Sequence, residues 1–212
     1  MKKNVKIEEF KKWYKGDDDF ELRLKIAEAN NWDIDKTIEV YMFISRGKMK
    51  VDDNYGLQVE LFKTDKGIAI KSNLCPIFVV SFRDATKDGT KLCVDNTVSS
   101  IYHKKETDAI FDYHGKENTD NLPMFKNISL KQYEYIPSLG QLVIIGKIKG
   151  AINYMLKENE GDALRDGFYW SSTEYNGQRV WCLDMETGRI SVCNSNVQNR
   201  FYIRPIYNLA EI

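Results

Sequence analysis

The chain has 212 residues, of which 42% are apolar, 29% charged and 12% aromatic, and its 31 basic residues balance 31 acidic ones. That length supports one good core with a small satellite, and the apolar fraction excludes a disordered chain. No run approaches the ~20 apolar residues of a membrane span, and zero net charge argues against nucleic acid as a partner, because phosphate binding needs a basic surplus.

Residues 1–50 read as a small helical docking module. Ile7, Phe10, Trp13 and Tyr14 fall at helical spacing, and Gly16 with Asp17-Asp18-Asp19 ends that helix and caps the next. Leu22, Ile26 and Ala29 continue one face, and Asp33 or Asp35 caps a third helix carrying Ile38, Tyr41, Met42 and Ile44. The stretch from Ala29 to Ile38 resembles ubiquitin-associated-like bundles, which implies protein docking and no chemistry. Met1-Lys2-Lys3 is followed by no apolar stretch, so synthesis in the cytoplasm without a signal peptide is expected. Cys75, Cys93, Cys182 and Cys193 include no CxxC pair, and free thiols are the default reading.

Residues 51–212 read as a second domain. Leu57–Lys63, Gly67–Lys71, Pro76–Phe82 and Thr90–Val94 are β-branched or aromatic runs divided by turn residues. Residues 95–135 are long and irregular, which predicts a functional or braced loop region. Ser138 and Gln141 then form a capping box after Pro137. Leu139, Leu142, Val143, Ile145, Ile148, Ile152, Met155 and Leu156 give one helix a broad apolar face, with Gly161 past its end. Strands are expected at Phe168–Ser171, Arg179–Met185, Arg189–Cys193 and Phe201–Tyr207. A two-residue turn at Thr187-Gly188 would set Leu183 opposite Val192 and Cys182 opposite Cys193.

Five pieces carry a family resemblance. Phe168-Tyr169-Trp170-Ser171-Ser172-Thr173-Glu174, Trp181, Gly188 and Ile203-Arg204-Pro205-Ile206 resemble the "YWSSTE…W…G…VRPV" signature of a C-type-lectin-like domain common in Bacteroidetes proteins. Phe111 to Thr119 is similar to that family's "DFDGKANT" stretch, and Tyr135 to Leu142 to its "YLPSLGQL" stretch. The resemblance runs over roughly residues 57–212. It implies an α+β fold, a small twisted antiparallel sheet with one or two helices and long loops. Related domains occur in bacterial adhesins and in phage tail proteins diversified by retroelements, where loops and the last strands form a variable binding surface. Calcium-dependent lectins use Glu-Pro-Asn or Gln-Pro-Asp with Trp-Asn-Asp; none of these tripeptides occurs here, so a calcium-independent surface is expected.

Individual residues divide into framework and surface. Trp170 and Trp181 fit core packing better than sugar stacking. Ser171 to Glu174 lack a Gly-x-Ser-x-Gly elbow or a partnered histidine, which favours a hydrogen-bonded turn over a nucleophile. Arg204 is expected to pair with a carboxylate or a loop carbonyl, Glu174 first among them. His103, Asp108, Asp112 and His114 have no metal-ligand spacing, and no cofactor is expected. Cys182 and Cys193 read as free thiols on a half-exposed sheet face. A formylglycine-generating type of enzyme is the least favoured reading. Tyr175, Asn176, Gln178, Arg179, Asn194, Asn196, Gln198, Asn199, Arg200 and Tyr202 have the amide-rich, aromatic composition of a paratope, and with the family's binding surface in the same region they are the expected ligand-binding set. The resulting expectation is a non-enzymatic adhesion or receptor-binding protein for a cell-surface glycan or protein. A phage virion or tail component would suit it, docked to other subunits through residues 1–50, with room for a homo-oligomer. The alternative is a decoration protein that contacts only other subunits.

Overall fold

The computed structural model describes residues 48–52, 57–92, 102–194 and 200–209. The three helices expected before residue 48 lie outside the described residues, as do Cys93, Asn196, Gln198 and Asn199. The described chain is α+β, with two antiparallel sheets and a few helices. Among the described residues no helix is long and apolar enough to cross a membrane.

The first sheet contains β1 (Lys48–Asp52), β2 (Gln58–Lys63), β3 (Gly67–Ser72), β4 (Phe78–Ser81) and, at its far edge, β8 (Ile206–Asn208), in the order β1-β2-β3-β4-β8. β1 opens at Lys48, inside the stretch assigned by sequence to the helical module. β2 alternates, with Val59 and Leu61 buried, as a strand with one covered face should. β3 is buried through Gly67, Ile68, Ala69 and Ile70 because both its faces are covered. Gly67 has no alternative there, since a Cβ would lie 1.9 Å from the Val80 carbonyl oxygen. Residues 106–125 are more regular than expected, holding α1 (Glu106–Ala109), α2 (Gly115–Asn121) and a 3-10 turn at Pro123–Phe125. Ala109, Leu122, Met124 and Phe125 are buried beneath them.

The single long helix read from the sequence is two, α3 (Leu139–Lys147) and α4 (Lys149–Glu158), broken at Ile148 with φ −112° and ψ 20°. The break lets Ile144, Ile145 and Ile148 share one core with Ile152, Met155 and Leu156 while both helices follow the twisted sheet. That core also takes Leu61, Ile68, Ile70, Phe78 and Val80 from the first sheet, and Tyr169, Leu183 and Met185 from the second. Beyond α4 the left-handed residue is Glu160 (φ 58°), one position before the expected glycine. The Gly161 N–H donates to the Leu156 carbonyl at 2.7 Å, and the Glu160 N–H to that of Lys157 at 3.3 Å, the pairing of a Schellman motif.

The second sheet is β5 (Phe168–Asn176), β6 (Arg179–Asp184) and β7 (Ile190–Asn194), in that order. Its hairpin has a different register from the one expected. Leu183 faces Ile190, Cys182 faces Ser191 and Val180 faces Cys193, a slip of two that keeps every side chain on its expected face. The cause is Asp184. Its carboxylate accepts the Glu186 N–H at 3.0 Å and the Thr187 hydroxyl at 2.9 Å. Its backbone N–H donates to the Arg189 carbonyl, so the turn is wider than two residues, with Gly188 left-handed at φ 72°.

Candidate functional site

Three of the sequence pieces singled out above interlock in the interior. Asp112 is 3% exposed. Its Oδ2 accepts the Thr173 hydroxyl at 2.6 Å and the Asn118 amide at 2.8 Å, while Oδ1 accepts the His114 N–H at 2.9 Å. Thr173 in turn accepts the Leu139 N–H at 2.7 Å, satisfying one orphan donor at the start of α3. Gln141 Oε1 accepts the Ser138 N–H at 3.0 Å, the helix-side half of the capping box, and the Ser138 hydroxyl donates to the Asp112 carbonyl at 2.6 Å. The ladder between β5 and β6 is irregular between Trp170 and Glu174, which releases the Ser172 N–H to the Pro137 carbonyl and its hydroxyl to that of Ile136. The Ser171 hydroxyl donates to the Trp181 carbonyl at 2.7 Å. The Ser171, Ser172 and Thr173 hydroxyls are all buried and engaged, which makes this stretch a polar framework that joins three elements.

Arg204 anchors a second framework. It is fully buried and donates from Nε to Asp84 Oδ1 at 2.7 Å, from Nη1 to the Ser81 carbonyl at 3.0 Å, and from Nη2 to the Asp162 and Ala163 carbonyls. The carboxylate partner is therefore Asp84, and the expectation of Glu174 is corrected. Glu174 sits buried on β5 opposite Val180, and its carbonyl accepts the His103 N–H. Burial pushes the Asp84 carboxyl up while Arg204 and Arg165 pull it down. Tyr169 lies on the same carboxylate at 3.4 Å, and burial and that charge raise its phenol.

Trp170 is fully buried and its indole N–H donates to the Thr90 carbonyl at 2.8 Å. Trp181 is 5% exposed and donates to the His103 carbonyl at 2.9 Å. Neither presents the open ring face that sugar stacking requires.

The expected ligand-binding residues divide in space. Asn176 pairs with Arg179 across the β5–β6 turn, and Arg179 pairs with Asn194 across β6 and β7. Tyr175, Asn176, Gln178, Arg179 and Asn194 thus gather at one end of the second sheet. Gln178, Arg179 and Asn194 are exposed there, and the Arg179 guanidinium lies 5.7 Å from the Tyr175 ring centre. Tyr175 packs edge-on against Trp181 at 5.7 Å, which ties this end to the core. Tyr202 lies elsewhere. It bridges to Tyr169 toward the opposite end of β5, with the Arg165 guanidinium 5.0 Å from its ring centre. Arg200 is exposed just before Phe201, whose ring packs on Phe168 and Trp170.

Cys75, Cys182 and Cys193 are free thiols. Cys182 is fully buried and Cys193 half-buried, so the expected half-exposed face is corrected for Cys182. β6 is covered on both sides, by α3 on one and by Trp170 and Ile203 on the other.

A feature that sequence reading missed is an open groove of about 440 Å³ between α2 and the end of β8, lined by Tyr113, His114, Glu117 and Asn208 among others. Lys116 pairs with Asp120 at 2.8 Å and the Tyr135 hydroxyl donates to Asn208 at 2.7 Å, so much of its lining is satisfied internally. Only tertiary contact brings Asn208 beside α2; no local pattern signals it. Among the described residues no group of three or more His, Cys, Asp or Glu side chains is placed to hold a metal ion.

This geometry defines an α+β protein with two buried polar frameworks and a polar, aromatic-backed sheet end. Compared with protein-family profiles, curated proteins and solved structures, the chain matches none.

Proposed function

We propose that the protein is a non-enzymatic recognition protein whose binding surface is the β5–β6 turn end of the second sheet. The observation that supports this reading most is the juxtaposition of exposed Gln178, Arg179 and Asn194 beside Tyr175, next to the buried Val180 and Trp181 of β6. Amide and guanidinium groups adapt to many hydrogen-bonding geometries, and the buried strand holds them at low entropic cost. The ligand class proposed is a cell-surface glycan or protein. Its setting in a phage particle and the C-type-lectin-like assignment rest on the sequence resemblance.

The test is binding of labelled full-length protein to intact Bacteroidetes cells, with and without chelator. The Gln178→Ala/Arg179→Ala/Asn194→Ala variant is expected to lose at least tenfold in affinity, and chelator to change nothing. Failure of the folded wild-type protein to bind any such cells would count against recognition and for the decoration reading.

A further inference from the structure

Cys182 and Cys193 are nucleophilic groups that neither framework uses. β6 and β7 place them on the same face and diagonal to one another, Cys182 opposite Ser191 and Cys193 opposite Val180. Cys182 is fully buried against Trp170 and Ile203. Cys193 packs at the rim of that cluster and is half-buried. The Cys182 thiol donates to the Ser191 carbonyl oxygen at 3.4 Å. One thiol is thus half-buried at the rim, and a second lies diagonal to it in the interior. The electrostatics agree with that asymmetry. The proximity of Cys182, aided by the charge of Arg189, lowers the Cys193 thiol against the effect of burial. The neighbouring Cys193, together with burial, raises Cys182.

We propose that this pair is a thiol-exchange site, with Cys193 the attacking sulfur, Cys182 the resolving sulfur and a low-molecular-weight disulfide such as oxidised glutathione the reactant. In the first step the Cys193 thiolate attacks one sulfur of the small disulfide. A protein–S–S–R bond forms, the small S–S bond breaks and one RS⁻ leaves. In the second step Cys182 attacks the Cys193 sulfur and its proton passes to the departing sulfur. The Cys182–Cys193 bond forms, the mixed S–S bond breaks and the second small thiol leaves as RSH. Two protein thiols are oxidised by two electrons, and one small disulfide is reduced to two thiols.

Diagonal sheet neighbours stand about 7–8 Å apart at Cα and somewhat less at Cβ, whereas a bridge needs Cβ atoms about 3.5–4.5 Å apart. Closure therefore requires β7 to shift. Among the described residues β7 forms a ladder with β6 alone, at the sheet edge, so it is the strand that can shift.

The test uses the native full-length chain, exposed to oxidised glutathione, quenched by alkylation and digested with trypsin. Cleavage after Arg179, Arg189 and Arg200 leaves Cys182 in one peptide and Cys193 in the next. The expected product is those two peptides joined by a disulfide, forming at least tenfold faster than any adduct on Cys75 or Cys93. In the Cys182→Ala variant the glutathione adduct should persist on Cys193, and Cys193→Ser should abolish the linked pair. A reduced Cys193 beside a modified Cys75 or Cys93 in the wild-type chain would overturn the site. A stable adduct on wild-type Cys193 with Cys182 still reduced would overturn the resolving role. Both wild-type readings hold even if the Cys182→Ala variant does not fold.

Discussion

Two side chains show how much a single buried polar residue organises here. Arg204 is enclosed, and its charge is balanced by Asp84, whose side chain is 5% exposed, and by three carbonyls. Removing one member of such a pair leaves an uncompensated buried charge. Arg204→Ala is expected to cost about 3–5 kcal/mol in urea unfolding, and adding Asp84→Ala should cost less than the sum of the two single changes. Asp184 gives a pH signature. Burial works against its charge, but the Glu186 and Thr187 N–H groups, the Thr187 hydroxyl and Arg189 outweigh it and hold the carboxyl below its ordinary value. The resulting stabilisation is fully present above the usual aspartate pKa of about 3.9 and is lost as pH falls through the lower folded value. Urea titrations between pH 5 and 2 should therefore show a shallower acid loss in Asp184→Asn than in the wild type. The sequence marked Arg204 and Trp170 as framework, since large motif residues inside apolar strands have few other places to go. It could not supply Asp84, because 120 residues separate the two.

The elements were legible where their rules are local. The capping box at Ser138 and Gln141 and the period-two pattern of β2 depend on residues within a few positions of each other. The helix break at Ile148 and the two-residue slip of the hairpin depend on a curved neighbouring sheet and on a side chain that competes for the turn. Two substitutions test these local fits. Gly140 lies in the first turn of α3, and in a helix alanine is ordinarily favoured over glycine, by up to about 1 kcal/mol in the interior. A Cβ there would stand 2.6 Å from the Asp112 carbonyl oxygen and from the Tyr113 ring, so Gly140→Ala should lower the unfolding midpoint rather than raise it. Glu160 is exposed and left-handed at φ 58°. Glu160→Gly should stabilise the protein by roughly 0.5–1 kcal/mol, the left-handed strain exceeding the extra chain entropy of glycine.

At the scale of the whole molecule, one core cluster draws residues from both sheets and from α3 and α4. Ile145 is fully buried within it. Ile145→Ala is expected to cost about 2–5 kcal/mol, and hydrogen exchange should show the most protected amides of β3 and β6 losing protection together. The amino-acid sequence by itself determined the α+β composition, most strand positions, the cap of α3 and the residues that had to be inside. All of these follow from apolar period and from hydrogen bonds that close within a few residues. Tertiary structure alone decided the Arg204–Asp84 pairing, the bond from Thr173 to Asp112, and the seating of the Trp170 and Trp181 indoles on the Thr90 and His103 carbonyls. Each of those is a contact between chain segments whose partners no local pattern encodes, chosen because it buries or satisfies groups that would otherwise meet water or nothing.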